Sequence, residues 1–171
     1  PNKIKVVTKV INENINFNFF CHNEFLSYKN TPSVLLDYSK KYNKSKSLSK
    51  QLYQNNIFST SAVVCMKKHL NNVGGFDEKL SSAQDYDLWL KMSYFIKPLF
   101  IKKVLGTYKI RDNNITNTNH SKKLRNILII LIRHKKKGGS FFYFIFFKVF
   151  IYYVIVPILS SLKRIFVKEK K

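Results

Sequence analysis

Acid is what this sequence lacks most. Nine Asp and Glu stand against 31 Lys and Arg, a formal net charge of +22 over 171 residues. Such an imbalance points to an anionic partner: nucleic acid, an anionic membrane surface or a phosphorylated substrate. Part of it is a general bias, because Lys, Asn and Ile are over-used throughout and Lys is dense even in the loop-like stretch 40–50. Cysteine is scarce too. Cys21 and Cys65 form no C-x-x-C and no Cys/His cluster, which excludes a disulfide framework and a thiolate metal centre. Each lies in or beside an apolar run and is expected as a buried thiol in a reducing compartment. His22, His69, His120 and His134 lack ligand spacing and are expected at the surface. No internal repeat and no nucleic-acid recognition motif is present. The aromatic residues sit in apolar runs rather than interleaved with Arg, so a nucleic-acid partner is not expected. No signal peptide opens the sequence.

What is there is a foldable chain. Apolar residues make up 45% of it, and the length suits one domain with a sizeable core. Ile4, Val7, Val10 and Ile11 have helical spacing. Ile15, Phe17 and Phe19 alternate with Asn16 and Asn18, a strand pattern over 15–20. Residues 27–50 read as a long polar loop with a short strand near 34–36. Residues 61–66 read as a short buried strand and 67–73 as a short helix, stopped by Gly74 and Gly75. A helix with a wide apolar face fits 84–95. Residues 99–110 read as one or two strands, and 112–119 as a polar break.

The informative block is 56–116. It holds Val-Gly-Gly-Phe-Asp-Glu at 73–78, Gln-Asp-Tyr-Asp-Leu-Trp-Leu-Lys at 84–91 and Tyr-Lys-Ile-Arg at 108–111. In order and spacing these resemble the acceptor-side half of family 2 glycosyltransferases. The resemblance covers about the first two-thirds of the chain. It implies an α/β chain: residues 1–116 as the C-terminal half of a GT-A (Rossmann-like) domain, and 117–171 as a helical tail. The nucleotide-binding first half of such a domain, with its metal-binding D-x-D, is absent. Pro1-Asn2-Lys3-Ile4 resembles the text that follows the D-x-D in relatives. The sequence is therefore expected to be a truncated or fragmentary form. The Gln-x-x-Arg-Trp signature of processive polysaccharide synthases is also absent.

The resemblance further implies transfer of a sugar from a nucleotide donor to an acceptor hydroxyl, on a glycan or a lipid-linked molecule. Inverting transfer is one in-line displacement, and a positioned carboxylate takes the hydroxyl's proton. The family places that base in a Glu-Asp pair opening the helix after the Gly-Gly-Phe turn. The matching position is Asp85, with Gln84 where the Glu would stand. An Asp at a helix start is also an ordinary first-turn charge, and the two roles can coexist. Asp87 reads as a structural partner in the first turn. Asp85-Tyr86-Asp87 spells D-x-D but is not read as a metal site, and no metal ligand is assigned.

The full-length family uses a divalent metal, Mg2+ or Mn2+, to neutralise the leaving diphosphate. Trp89 and Tyr86 either stack on a sugar ring or belong to the core. Gly74 and Gly75 either turn the chain beneath the acceptor or simply cap a helix. Thr60 and Ser61 either line the donor–acceptor pocket or are a polar strand end. Arg111 stands where relatives often have a His. It stays protonated and is no ligand, so it either contacts a diphosphate or is a solvated charge.

The tail begins with an amphipathic helix over 122–134, and Lys135–Lys137 form a basic cluster. Residues 141–162 are almost wholly apolar, broken by Lys148 and Pro157. As a helix they span about 33 Å, against a bilayer core of roughly 30 Å. Lys148 argues against a simple span, and the aromatic cluster suits an interface. The expectation is an interfacial or re-entrant helix pair on the cytoplasmic face of the membrane, with 122–134 lying on anionic lipid. The competing expectation is a helix packed on the catalytic domain.

Overall fold

The computed structural model of the protein describes residues 2–28, 31–110 and 120–168. They form a mixed α/β unit with four strands and seven helices. Helix α1 spans Asn2–Glu13, followed by strands β1 (Phe19–Tyr28) and β2 (Val34–Leu36) and helix α2 (Leu48–Gln54). Strand β3 (Val63–Cys65), helices α3 (Lys67–Asn72) and α4 (Gln84–Met92) and strand β4 (Pro98–Ile110) complete the sheet region. Helices α5 (His120–Arg133), α6 (Lys135–Gly138) and α7 (Phe141–Lys168) follow.

Strand β1 is the centre of the sheet. Its whole length pairs in parallel with β4, from Phe19 opposite Pro98 to Tyr28 opposite Ile110. The register shifts on either side of Asn23, which lets the 13 residues of β4 run beside the 10 of β1. The other edge of β1 is shared. Antiparallel β3 takes Phe19–Cys21, and antiparallel β2 takes residues 24–26. A parallel pair needs a long crossover, and α2, α3 and α4 provide it.

Both faces of β1 are covered, so Phe19 through Glu24 are all buried. On one side Phe20 packs with Val7 of α1 and Ile101 of β4. On the other, Phe19 and Cys21 meet Leu52, Phe58, Leu88, Trp89 and Met92 in the main core. The expected strand over 15–20 is thus displaced. Ile15 is exposed in the turn after α1, and the real strand starts at Phe19. A strand covered on both faces loses the alternation that marks a half-buried one. Cys21 fits its expected role: burial above all, with the nearby Glu24, pushes its thiol up to about 12.

The tail is packed into the same core. Ile130 and Leu131 of α5 are buried there, and Phe142, Ile145 and Val149 of α7 lie against it. The helix expected to lie on lipid over 122–134 is turned in part toward protein, with Ile130 and Leu131 buried while Ile129 and Ile132 stay exposed. The buried side of that helix faces protein, because α2, α4 and α7 occupy the space beside it. Helix α7 runs unbroken through Pro157, which costs one helical hydrogen bond but not the helix. The expected domain boundary at 116/117 lies outside the described residues.

The α5–α7 junction depends on Gly138. A Cβ there would fall 2.5 Å from Cε1 of Tyr53. The Tyr53 hydroxyl donates to the Leu131 carbonyl at 3.0 Å, so the ring has no room to retreat. Gly138→Ala is expected to destabilise the fold by about 1–3 kcal/mol, read as a lower urea midpoint. An unchanged midpoint would show that the junction is loose.

Candidate functional site

The cleft that holds the candidate residues has a volume of about 830 Å³. Its polar side comes from the segment after α2 and from the start of α4: Asn56, Ser59, Thr60, Ser61, Gln84 and Asp85. Its apolar side comes from Phe76, from Ile127 and Leu131 of α5, and from Ile145 and Val149 of α7. Lys123 is the one cationic side chain among the described lining residues.

Helix α4 opens without a side-chain cap, on Ala83 in left-handed geometry (φ 61°). That bend aims the first turn into the cleft. Asp85 is half-buried there. Its Oδ1 accepts from the backbone N–H of Tyr86 at 2.8 Å. Its Oδ2 accepts from Asn56 Nδ2 at 3.2 Å and from Thr60 Oγ1 at 3.3 Å. The last two are long for hydrogen bonds, and a carboxylate has about four acceptor positions. Asp85 is therefore held in orientation with capacity left for one more hydrogen-bond donor.

Beside it lies a group that sequence reasoning missed. Glu24 of β1 is 2% exposed. Its two oxygens accept from Ser61 Oγ at 2.7 Å and Tyr38 Oη at 2.9 Å. Ser61 thereby gives its proton inward, so Ser59 Oγ, 2.9 Å away, is the donor between the two serines. Lys3 Nζ donates to the Ser61 carbonyl, which brings the start of α1 to this wall. Gly106 of β4 makes room, since a Cβ there would lie 3.2 Å from Glu24 Oε1. Burial first, and the bond to Glu24 second, hold the Tyr38 phenol above its ordinary range. The available signal was the one acidic residue of strand β1, next to His22 and Asn23 between apolar ends.

Asp87 faces the other way. Two residues along an α-helix is about 200° of rotation, so Asp85 and Asp87 occupy opposite faces. Asp87 is fully buried. Arg133 Nη1 and His134 Nε2 both donate to its Oδ1 at 2.9 Å. Lys91 Nζ stands 2.9 Å from Oδ2 in an ion pair. Arg133 also pairs with Asp77 at 2.9 Å. Burial alone would raise the Asp87 pKa. His134, Lys91 and Arg133 outweigh it and hold the carboxyl well below the usual carboxylate range.

The structure therefore brings Thr60, Ser61, Gln84 and Asp85 together in one cleft. Gln84 spends part of its amide on the Leu80 carbonyl at 2.6 Å. Gly74 and Gly75 do not line the cleft. Both have positive φ, and their N–H groups bond to the Asn71 and Leu70 carbonyls, the pattern that ends a helix. They deliver Phe76, Asp77 and Glu78 to the wall. Trp89 is in the core, edge-on to Phe19 at 5.3 Å, which removes it from the cleft. Tyr108 lines the cleft, while Arg111 lies outside the described residues. The expectation of surface histidines is corrected for two. His22 and His134 are buried, the first bonded to the Asn23 carbonyl and the second to Asp87.

Among the described residues, no three His, Cys, Asp or Glu side chains cluster closely enough to hold a metal ion. Asp85 and Glu24 are each occupied by neutral donors instead. The described residues therefore offer no assembled ligand set for the divalent metal that the family resemblance implies. Compared with known proteins, the sequence matches no family model and no curated protein.

Proposed function

We propose that the protein transfers a sugar from a nucleotide donor to an acceptor hydroxyl, as family 2 glycosyltransferases of GT-A fold do. In this reading Asp85 is the general base. It accepts the hydroxyl's proton as the oxygen attacks the anomeric carbon and the nucleotide leaves. Thr60 and Asn56 fix the carboxylate's orientation, which keeps the attacking oxygen in line. The apolar side of the cleft suits a glycan whose carrier is a lipid. Donor nucleotide and metal belong to the other half of such a domain, so no step here is routed through a metal. The cytoplasmic face of the membrane is the location this reading gives.

The observation that carries it is the half-buried carboxylate of Asp85 on the cleft wall, at the motif position where the family keeps its base. The test is transfer itself. Full-length protein is offered labelled UDP-, GDP- and dTDP-hexoses with an extract of its host membranes. Label entering a glycan or lipid fraction is the expected result. The absence of both transfer and donor hydrolysis with all of these donors overturns the reading. A second reading, a non-catalytic membrane-surface protein derived from a glycosyltransferase, is favoured by the bare apolar face of α7.

A further inference from the structure

Helix α7 has two unlike faces. Phe142, Ile145 and Val149 pack against the core. Phe144, Phe147, Ile151, Ile155 and Ile158, spaced by three and four residues, form the opposite stripe and cover nothing. Phe144 is 69% exposed and Phe147 is 59% exposed. Tyr143 and Tyr152 flank the stripe, both more than half exposed. A contiguous apolar face of this size marks an interaction surface on an otherwise folded protein.

Charge says what covers it. Residues 120–168 contain eleven Lys and Arg and no Asp or Glu. Lys135 and Lys136 are exposed just before α7, and Lys148 is exposed beside Phe144, Phe147 and Ile151. Lysine beside phenylalanine and tyrosine, with two more lysines just before the helix, suits a surface that is apolar within and anionic at its rim. Lysine extends its ammonium outward from such a surface while its stem stays apolar. Among the described residues no helix is long and apolar enough to cross a membrane. A helix with one packed face and one bare face has no need to cross.

We infer that α7 lies in the plane of an anionic lipid bilayer, with the Phe144–Phe147–Ile151 stripe in the acyl boundary and its inner face closing the cleft. The helix is thus a partition. Ile145 and Val149 look into the cleft, and the stripe one step round looks into lipid. Neither arrangement depends on sugar transfer, so the inference stands or falls apart from the proposed activity.

The experiment is co-sedimentation of the full-length protein with two sets of vesicles. One is phosphatidylcholine alone, and the other holds about one-third phosphatidylglycerol. The wild type is expected to partition into the anionic set. A triple variant, Phe144→Ser with Phe147→Ser and Ile151→Ser, is expected to partition about tenfold or more weakly. Its urea midpoint should change little, because Phe144 and Phe147 are more than half exposed and Ile151 is 43% exposed. Lys135→Glu with Lys136→Glu is expected to reduce the preference for anionic vesicles and leave the fold intact. Equal partition of wild type and triple variant overturns the proposal, as does a wild type that stays in the supernatant. A dimer that the triple variant dissociates without changing partition makes the stripe an interface between copies, and also overturns it.

Discussion

Asp85→Asn in the full-length protein is expected to lower turnover by about 10²–10⁴-fold, the usual contribution of a positioned general base. The substitution keeps the size of the side chain and its place beside Asn56 and Thr60. It removes only the ability to take a proton. Binding of the nucleotide-sugar donor should be nearly unchanged, so the loss falls on kcat rather than on KM. Stability should change by no more than about 1 kcal/mol, the scale of one hydrogen bond. Transfer within a few-fold of wild type would end the assignment of Asp85 as base. Thr60→Val provides the graded comparison. It removes one orienting bond to Oδ2 and leaves the carboxylate, so a smaller loss of kcat is expected. Equal losses in both variants would mean that the cleft has collapsed rather than lost a base.

The local elements around this site were largely legible. The helix before Gly74, the short strand at 34–36 and the start of α4 at Gln84 all follow from punctuation and periodicity. The central strand was not, because burial on both faces turns Phe-Phe-Cys-His-Asn-Glu into a run without alternation. Helix α2 was hidden in a Lys-, Ser- and Tyr-rich stretch, where tertiary packing of Leu52 and Tyr53 decides the matter. The motif text led to Asp85, Thr60, Ser61 and Gln84. It gave no hint that α5 and α7, which begin well beyond the motif, would close the same cleft. Long-range closure of that kind leaves no periodic trace. Glu24 was invisible for the same reason, since its partners Tyr38 and Ser61 lie 14 and 37 residues away.

The second large effect is structural and belongs to Asp87. Asp87→Ala is expected to cost about 1.5–3 kcal/mol, because it removes the buried anion that Arg133, His134 and Lys91 share, while Arg133, 37% exposed, keeps Asp77. Arg133 and His134 end α5, so the loss falls where the tail joins the core. Leu131 and Ile127 lie just before them, and the apolar wall of the cleft should loosen with the joint. Acid should imitate the substitution. The folded pKa of Asp87 lies below its ordinary value of 3.8, so its stabilisation is fully present above that value. It is lost as pH falls below about 4 towards the folded pKa. Urea midpoints measured from neutral pH downward should fall in that range for the wild type. In Asp87→Asn they should fall less, from a lower starting point. A wild-type acid limb that survives Asp87→Asn undiminished would place the acid-sensitive group elsewhere. Since Asp85 and Asp87 share one helical turn, the pair of variants separates the two roles. Loss at Asp87 should appear in unfolding, and loss at Asp85 only in turnover.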